Sequence, residues 1–386
     1  MPPHDGLVHL KEYDIKNSNV ELIGTEIDHQ VKFASAKTEP AWNDGNVAKR
    51  AGLFIWRIED FTVVVWPTEK AGEFHEGDSY IVLHSYKVGE GEQQKLIHEI
   101  FFWLGSKTSQ DEAGTAAYKT VELDEFLGGA ATQHREIQQA PSDAFVALFP
   151  RLTILRGGVS SGFTHVESVE PKEVTTLLRI FKHSTSIVVV EVDPTWQSLD
   201  DGDVFVLDKG EKIWVWQGAK CSPMEKAKAA QVVHDMTLAK HVDVEVLSQL
   251  ESRSSVVVGL LGGQGLEQRE FKAPCPLSSG ISSRPTKLLR LSDASGELSL
   301  NVIKEDQRIT RGDLDSKDVF LLDVGGSVWV WRGLNASQRE KAMWLKVAQF
   351  YIRQLQDVPE SYLTPLASVL EGNETPGFLK AIEASQ

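Results

Sequence analysis

One pattern occurs three times along the chain, and it constrains the fold more than anything else in the sequence. It opens with a strand, turn, strand unit. This reads LFIWRIEDFTVVVW from Leu53, TLLRIFKHSTSIVVVEV from Thr176 and KLLRLSDASGELSLNVI from Lys287, with Arg57, Arg179 and Arg290 in the same place in each. A turn and a β-rich run follow: EGDSYIVLHS at 76–85, DGDVFVLDKG at 201–210 and SKDVFLLDVG at 316–325. Next comes an aromatic strand ending in glycine, IFFWLG, IWVWQG and VWVWRG. A helix opened by Ser-x-x-Glu closes each copy, SQDE at 109, SPME at 222 and SQRE at 337. Copies lie about 115 residues apart, and self-similarity at a fixed period marks repeated structural units. That period is too long for a solenoid and suits a small complete domain.

The expected fold is therefore α/β (α+β), with three domains of one kind. Residues 1–50 read as an extension anchored by Leu22, Ile23 and Ala41-Trp42. The domains span 51–166, 172–271 and 287–386, and 272–286, rich in Pro, Ser and Gly, reads as a flexible linker. Strands dense in Val, Ile and Trp with little polar alternation suit a sheet buried on both faces. Each domain is expected to hold about five strands. A long helix would lie on one face and a shorter terminal helix, Ser142–Phe149 or Gly377–Ile382, on the other.

The first long helix, SQDEAGTAAYKTVELDEFLGG, has its limits written in local chemistry. Ser109 and Glu112 form the two ends of a capping box, and Gly128-Gly129 lets the chain leave through a left-handed residue. Ala113, Ala116, Thr120, Leu123 and Leu127 fall on one side, small and apolar enough to lie on a sheet. The opposite side carries Gly114, Tyr118, Val121 and Glu125. One reading is a Tyr half covered by a neighbouring loop, since scattered exposed apolar residues are normal. The other is a helix that packs on its own domain with one face and on a partner with the second.

Composition excludes several classes. With 41% hydrophobic and 25% charged residues the chain is an ordinary globular one. It has no apolar run long enough to cross a bilayer, and MPPHDGLVHLKEYDIKN lacks a signal core, so secretion is not expected. Two cysteines, Cys221 and Cys275, suit a reducing compartment. A net charge of −15 argues against nucleic acid as the main ligand. No GxSxG, P-loop or HExxH is present, and His134, His183 and His234 stand isolated, so an enzyme is not expected.

Acidic residues recur with the repeat. Asp78, Asp203 and Asp318 follow a turn and start a strand, while Glu112, Glu225 and Glu340 stand one turn inside the long helix. Calcium takes about six to eight oxygen ligands, carboxylate and carbonyl together, and the turns Gly77-Asp78, Gly202-Asp203 and Lys317-Asp318 can offer both. Each residue alone has a plainer role, Asp as a turn former and Glu as a cap. Co-recurrence of the pair is what raises a cation above those plainer roles, with a shared fold alone as the other reading of the recurrence.

GLFIWRIEDF, GDSYIVL, FFWLG, the helix above, QHREIQ, RGGVSSGF and EPAW occur here in one order. The chain so resembles the gelsolin superfamily, in its three-domain fragmin and severin type. The resemblance implies three gelsolin-like repeats, each a mixed sheet between one long and one short helix. It also implies a monomeric protein of cytoplasm and cytoskeleton that binds actin, severs filaments and caps their barbed ends when Ca2+ is present. A non-severing capping protein or an interaction scaffold is the alternative. By the same resemblance, Tyr118, Val121 and Glu125 face actin. Gly77, Asp78, Glu112 and the Val159 carbonyl hold one ion, and Asp124 with the carbonyls of Gly129 and Ala131 holds a second shared with actin. Gly202, Asp203 and Glu225, then Lys317, Asp318 and Glu340, form the later sites. The secreted members' disulfide falls on Val204 and Gln217, which cannot form it. The stretches matching the family's phosphoinositide segments offer only Arg151, Arg156, Arg179 and Lys182 with His183. At about 1 kcal/mol per charge near a membrane surface, regulation by phosphoinositide is not expected.

Overall fold

The computed structural model describes residues 37–47, 49–89, 91, 94–159, 175–239, 241–264, 270–278, 284–355 and 364–383. The first copy of the pattern forms β1 (Gly52–Glu59), β2 (Thr62–Val65), β3 (Glu73–His75), β4 (Ser79–Val88) and β5 (Lys95–Leu104). It continues with α1 (Gln110–Phe126), β6 (Thr132–Ile137), α2 (Asp143–Val146) and β7 (Leu152–Leu155). The second forms β8 (Thr176–His183), β9 (Ser186–Val192), β10 (Val204–Asp208), β11 (Lys212–Gln217), α3 (Pro223–Ala239), β12 (Asp243–Ser248) and α4 (Ser255–Leu260). The third forms β13 (Lys287–Ser292), β14 (Ser299–Glu305), β15 (Val319–Asp323), β16 (Val328–Arg332), α5 (Gln338–Arg353), β17 (Leu366–Leu370) and α6 (Pro376–Glu383).

Each copy contributes five strands in the same arrangement, β6-β5-β4-β1-β2, β12-β11-β10-β8-β9 and β17-β16-β15-β13-β14. The aromatic strand runs parallel to the strand after the long helix, and the other neighbours are antiparallel. The sheets are mixed for this reason: the helix crosses over between two parallel strands, while hairpins join the rest. Each sheet is covered on both faces. In the first copy Ile81, Leu83, Ile100, Ala116 and Leu123 fill the α1 side, and Phe74, Tyr80, Trp103, Phe145 and Phe149 the α2 side. The second and third copies repeat this with α3 and α4, then α5 and α6.

The expectation of three separate five-stranded sheets needs correction. β17 pairs antiparallel with β6, Ala367 opposite His134, so the first and third copies share one ten-stranded sheet. β7 and β3 of the first copy extend the second copy's sheet to seven strands through β9. Unpaired strand edges leave backbone donors and acceptors open, and β6 and β17 close each other's.

The stretch 272–286, expected to be flexible, is pinned over 272–278. Lys272 bridges Asp200, and Leu277 is buried in the first copy's core. The anchor Trp42 is fully buried, edge-on to Trp56 with ring centroids 4.8 Å apart. Leu22, Ile23 and the 166–172 boundary lie outside the described residues. Val204 and Gln217 sit opposite each other on β10 and β11, while Cys221 and Cys275 are free.

Candidate functional site

The first acidic site is built where β4 begins and α1 starts. Gly77 donates its N–H to the Gly157 carbonyl at 2.8 Å, and a Cβ there would lie 2.7 Å from that oxygen, so only glycine fits. Asp78 is fully buried. Its Oδ1 accepts the Val159 N–H at 2.7 Å and its Oδ2 the Tyr80 hydroxyl at 3.0 Å, with Arg57 Nη1 at 3.5 Å. Glu112 stands at the third position of α1, in the capping box expected for it. Its Oε2 accepts from the Thr108 hydroxyl at 3.1 Å and the Ser109 N–H at 3.5 Å. Its Oε1 is buried with no hydrogen-bond partner among the described residues. Burial pushes the Glu112 carboxyl up from its ordinary pKa, and the Asp78 charge adds to the shift. A buried carboxylate oxygen without a donor is costly, and a divalent cation would answer it.

The second and third copies repeat the pair with both glutamate oxygens hydrogen-bonded. Asp203 accepts from Arg179 Nε at 2.6 Å, and burial pushes its pKa up to about 6 against the pull of that guanidinium. Glu225 accepts the Lys182 N–H on one oxygen at 2.9 Å and the Ser222 N–H on the other at 2.6 Å. Asp318 is buried, 2.7 Å from Arg290 Nη2. Glu340 accepts the N–H of Asp293 at 2.9 Å and of Ser337 at 3.1 Å. Burial, then Asp293 and Asp318, push Glu340 up. Gly202 is held by Asp200 Oδ1 at 2.8 Å, and Lys317 is exposed with its N–H on Asp315 Oδ1 at 3.0 Å. Among the described residues no group of three or more His, Cys, Asp or Glu side chains gathers as a metal would need. A cation here would rest on two carboxylates and backbone carbonyls. Two of these carboxylate oxygens are buried without a hydrogen bond among the described residues, Glu112 Oε1 in the first copy and Asp318 Oδ2 in the third, and only the latter has a guanidinium beside it.

The sequence marks Arg57, Arg179 and Arg290 as one recurring position, and gives a role only to Arg179, among the residues that match the phosphoinositide segments. The register supplies a common one. Each lies opposite the residue two beyond the site aspartate, Tyr80, Phe205 and Phe320. That places a guanidinium beside Asp78, Asp203 and Asp318 in turn. The signal was there in the threefold recurrence of Arg and Asp on neighbouring strands.

At the other end of α1, Asp124 is buried. Its Oδ1 accepts the Ala131 N–H at 2.9 Å, its Oδ2 the Gln133 amide at 2.7 Å, and its carbonyl the Gly129 N–H at 2.8 Å. Gly128 and Gly129 have φ of 81° and 72°, the left-handed turn that brings these three residues together. On the outward side of α1 Tyr118 is 54% exposed. Val121 and Glu125 instead line a cavity of ≈ 570 Å³ whose far wall is Arg332, Leu334, Trp344 and Leu345 of the third copy. Burial lowers the Arg332 pKa, while the Asp124 and Glu125 charges raise it. The second face of α1, expected to be open to a partner, is thus half roofed by the chain's own third copy.

Three of the four basic residues that match the phosphoinositide segments have acidic partners. Arg179 is buried on Asp203, Arg151 pairs with Asp235 at 2.7 Å and Arg156 with Asp193 at 2.6 Å. Lys182 is exposed. His134, expected to stand alone, lies 3.1 Å from Glu99 Oε2 and stacks on Phe101. No described helix is long and apolar enough to cross a membrane.

A family model described as the gelsolin repeat matches residues 61–146, 185–254 and 301–379, one match in each copy of the pattern. Gelsolin-like protein 1 of Lumbricus terrestris is 37% identical over 381 residues, 98% of this chain and 99% of that protein. Severin of Echinococcus granulosus is 36% identical over 98% of this chain and 99% of its own length. Gelsolin of Gallus gallus is 35% identical over 82% of this chain and only 42% of its own. Three repeat matches and relatives alike from end to end place this chain in the gelsolin family, to which it belongs.

Proposed function

We propose that this chain binds actin, severs filaments and caps their barbed ends, and that calcium controls it from the acidic sites described above. The observation that carries the reading is the construction of α1. One side is sealed on its own sheet, the other presents Tyr118, Val121 and Glu125, and Asp124 is gathered with Gly129 and Ala131 at its end. We assign the three repeats to 51–166, 172–271 and 287–386, and the protein to the cytoplasm and cytoskeleton as a monomer with no enzymatic activity.

Gly77, Asp78, Glu112 and Val159 would hold one ion. Asp124, Gly129 and Ala131 would hold another beside the actin surface, and Gly202, Asp203 and Glu225, with Lys317, Asp318 and Glu340, the remaining two. A bound calcium would supply these buried carboxylates with positive charge beyond the one guanidinium that stands beside each site aspartate. Arg332 takes the place of such a charge when β6 and β17 are paired, because it faces Asp124 and Glu125 from the third repeat. The outward side of α1 then gives its contacts either to the third repeat or to actin. A change in affinity between those two arrangements is what a calcium switch requires.

Pyrene-labelled filaments read this directly. The chain should shorten filaments and block barbed-end growth with calcium and do neither with chelator. Val121→Glu should abolish capping while circular dichroism and calcium binding stay unchanged. Capping that survives Val121→Glu removes α1 from the interface, and calcium binding without any effect on filaments favours the scaffold reading.

A further inference from the structure

The connection from the second repeat to the third is strapped to the loop that carries Asp203. Asp201 donates its N–H to the Phe271 carbonyl at 3.0 Å and accepts the Phe271 N–H on Oδ1 at 3.0 Å. Ala273 donates to the Leu199 carbonyl at 3.1 Å. Further on, Leu277 enters the first repeat's core and Ser278 donates to the Gln139 carbonyl at 2.6 Å. Between these anchors the Pro274 carbonyl accepts from Arg179 Nη1 at 2.7 Å, while Nε of the same guanidinium sits on Asp203 Oδ2 at 2.6 Å. Arg179 is 5% exposed. Its counterparts are built differently: Arg57 turns to Glu59, and the Arg290 side chain is 41% exposed beside Asp318.

We propose that Arg179 couples cation binding at Asp203 to the hold on residues 271–278, so that the connection is the readout of the second repeat's site. The proposal rests on reading Asp203 and Glu225 as calcium ligands. Charge-assisted contacts of a guanidinium are among the strongest hydrogen bonds a protein makes. Asp203 cannot give its charge fully to Arg179 and to a divalent cation at once, and the two cations repel. Arg179 deprived of Asp203 is a buried charge with its main partner weakened, an arrangement that is strongly unfavourable. It moves, and Pro274 loses its donor. Linkage makes the effect reciprocal: whatever frees the connection tightens the cation, and whatever pins it weakens the cation.

Cys275, exposed and next to Pro274, offers a reporter. The full chain carrying Cys221→Ala takes a nitroxide at Cys275, and electron paramagnetic resonance follows its mobility with chelator and with calcium chloride. Isothermal titration of the same protein counts calcium ions and their affinities. The label should be immobile with chelator and mobile with calcium. In Arg179→Gln it should be mobile in both, and one calcium site should tighten on the order of tenfold. Arg179→Lys, which keeps the charge and loses the fork, should free the label and tighten the same site less than Arg179→Gln does, because its charge still opposes the cation, and it covers the case in which Arg179→Gln does not fold. A label already mobile in the parent with chelator, or one that calcium mobilises equally in both Arg179 variants, overturns the coupling. Asp203→Asn separates the two failures. If it binds as many ions as the parent, the calcium reading of this repeat is wrong. If it loses an ion while the Arg179 variants behave like the parent, the coupling alone is wrong.

Discussion

Glu112 is both a cap and a candidate ligand, and the structure shows that the two roles use different atoms. Oε2 answers Thr108 and Ser109, and Oε1 is left in a buried place with no donor among the described residues. Glu225 and Glu340 have spent both oxygens on backbone N–H groups. Among the three site glutamates only Glu112 keeps an oxygen that a cation can take without displacing a hydrogen bond, and the first site should bind calcium most tightly. Glu112→Gln removes the charge that burial and Asp78 disfavour. It should raise stability without calcium, because a buried negative charge beside Asp78 is removed. The same change should delete the tightest calcium-binding event. Urea unfolding with chelator, beside a calcium titration, checks both. Equal stability and an unchanged tightest site would show that Oε1 is not the atom that waits for a cation.

At the scale of the element, α1 works as a rigid two-sided part because its ends are fixed locally. Ser109 Oγ accepts the Glu112 N–H at 3.1 Å, and the chain leaves through Gly128 and Gly129. Ala116, Thr120 and Leu123 lie fully buried against the sheet, while Tyr118 is the exposed apolar group of the other side. Ser109→Ala should cost about 1 kcal/mol, the common value for a lost N-cap. It should also loosen the first calcium site, because the Glu112 carboxylate is oriented by the same box. Ser109→Asp, which keeps a side-chain acceptor at the N-cap, should restore the stability. Denaturant midpoints of the two variants test this, and equal losses would show that packing rather than the cap sets the start of the helix.

Across the whole molecule, the joined sheet decides what α1 can meet. The seam is the β6–β17 pairing, reinforced by His134 edge-on to Trp329 with centroids 5.6 Å apart and by Lys95 Nζ on Asn373 Oδ1 at 2.7 Å. Beside it lies the cavity that Val121 and Glu125 share with Arg332 and Trp344. Ser368 is buried on this wall, opposite Gln133 and near Arg135 and Arg332. Ser368→Arg would add a third guanidinium to a space that already holds two. It should open the seam, increase the radius of gyration in small-angle scattering with chelator, and let the chain cap filaments without calcium. An unchanged scattering profile with chelator-dependent capping intact would show that the seam does not restrain the helix.

The sequence alone settled everything that depends on neighbours in the chain. Ser109 and Glu112 fix where α1 begins, Gly128 and Gly129 where it ends, and the recurring Arg, Asp and Glu fix three copies of one sheet with an acidic pair in each. These are short-range chemistry and repetition, and both survive in a string of letters. Tertiary structure alone decided that β17 closes the edge of β6, that β3 and β7 join the neighbouring sheet, and that Arg332 faces Asp124. It likewise decided that Arg179 spans Asp203 and Pro274, which turned an apparent linker into a strap. Those contacts join residues far apart in the chain. Each is selected by the need to pair an open strand edge or a buried charge, a need that exists only after the separate repeats have folded.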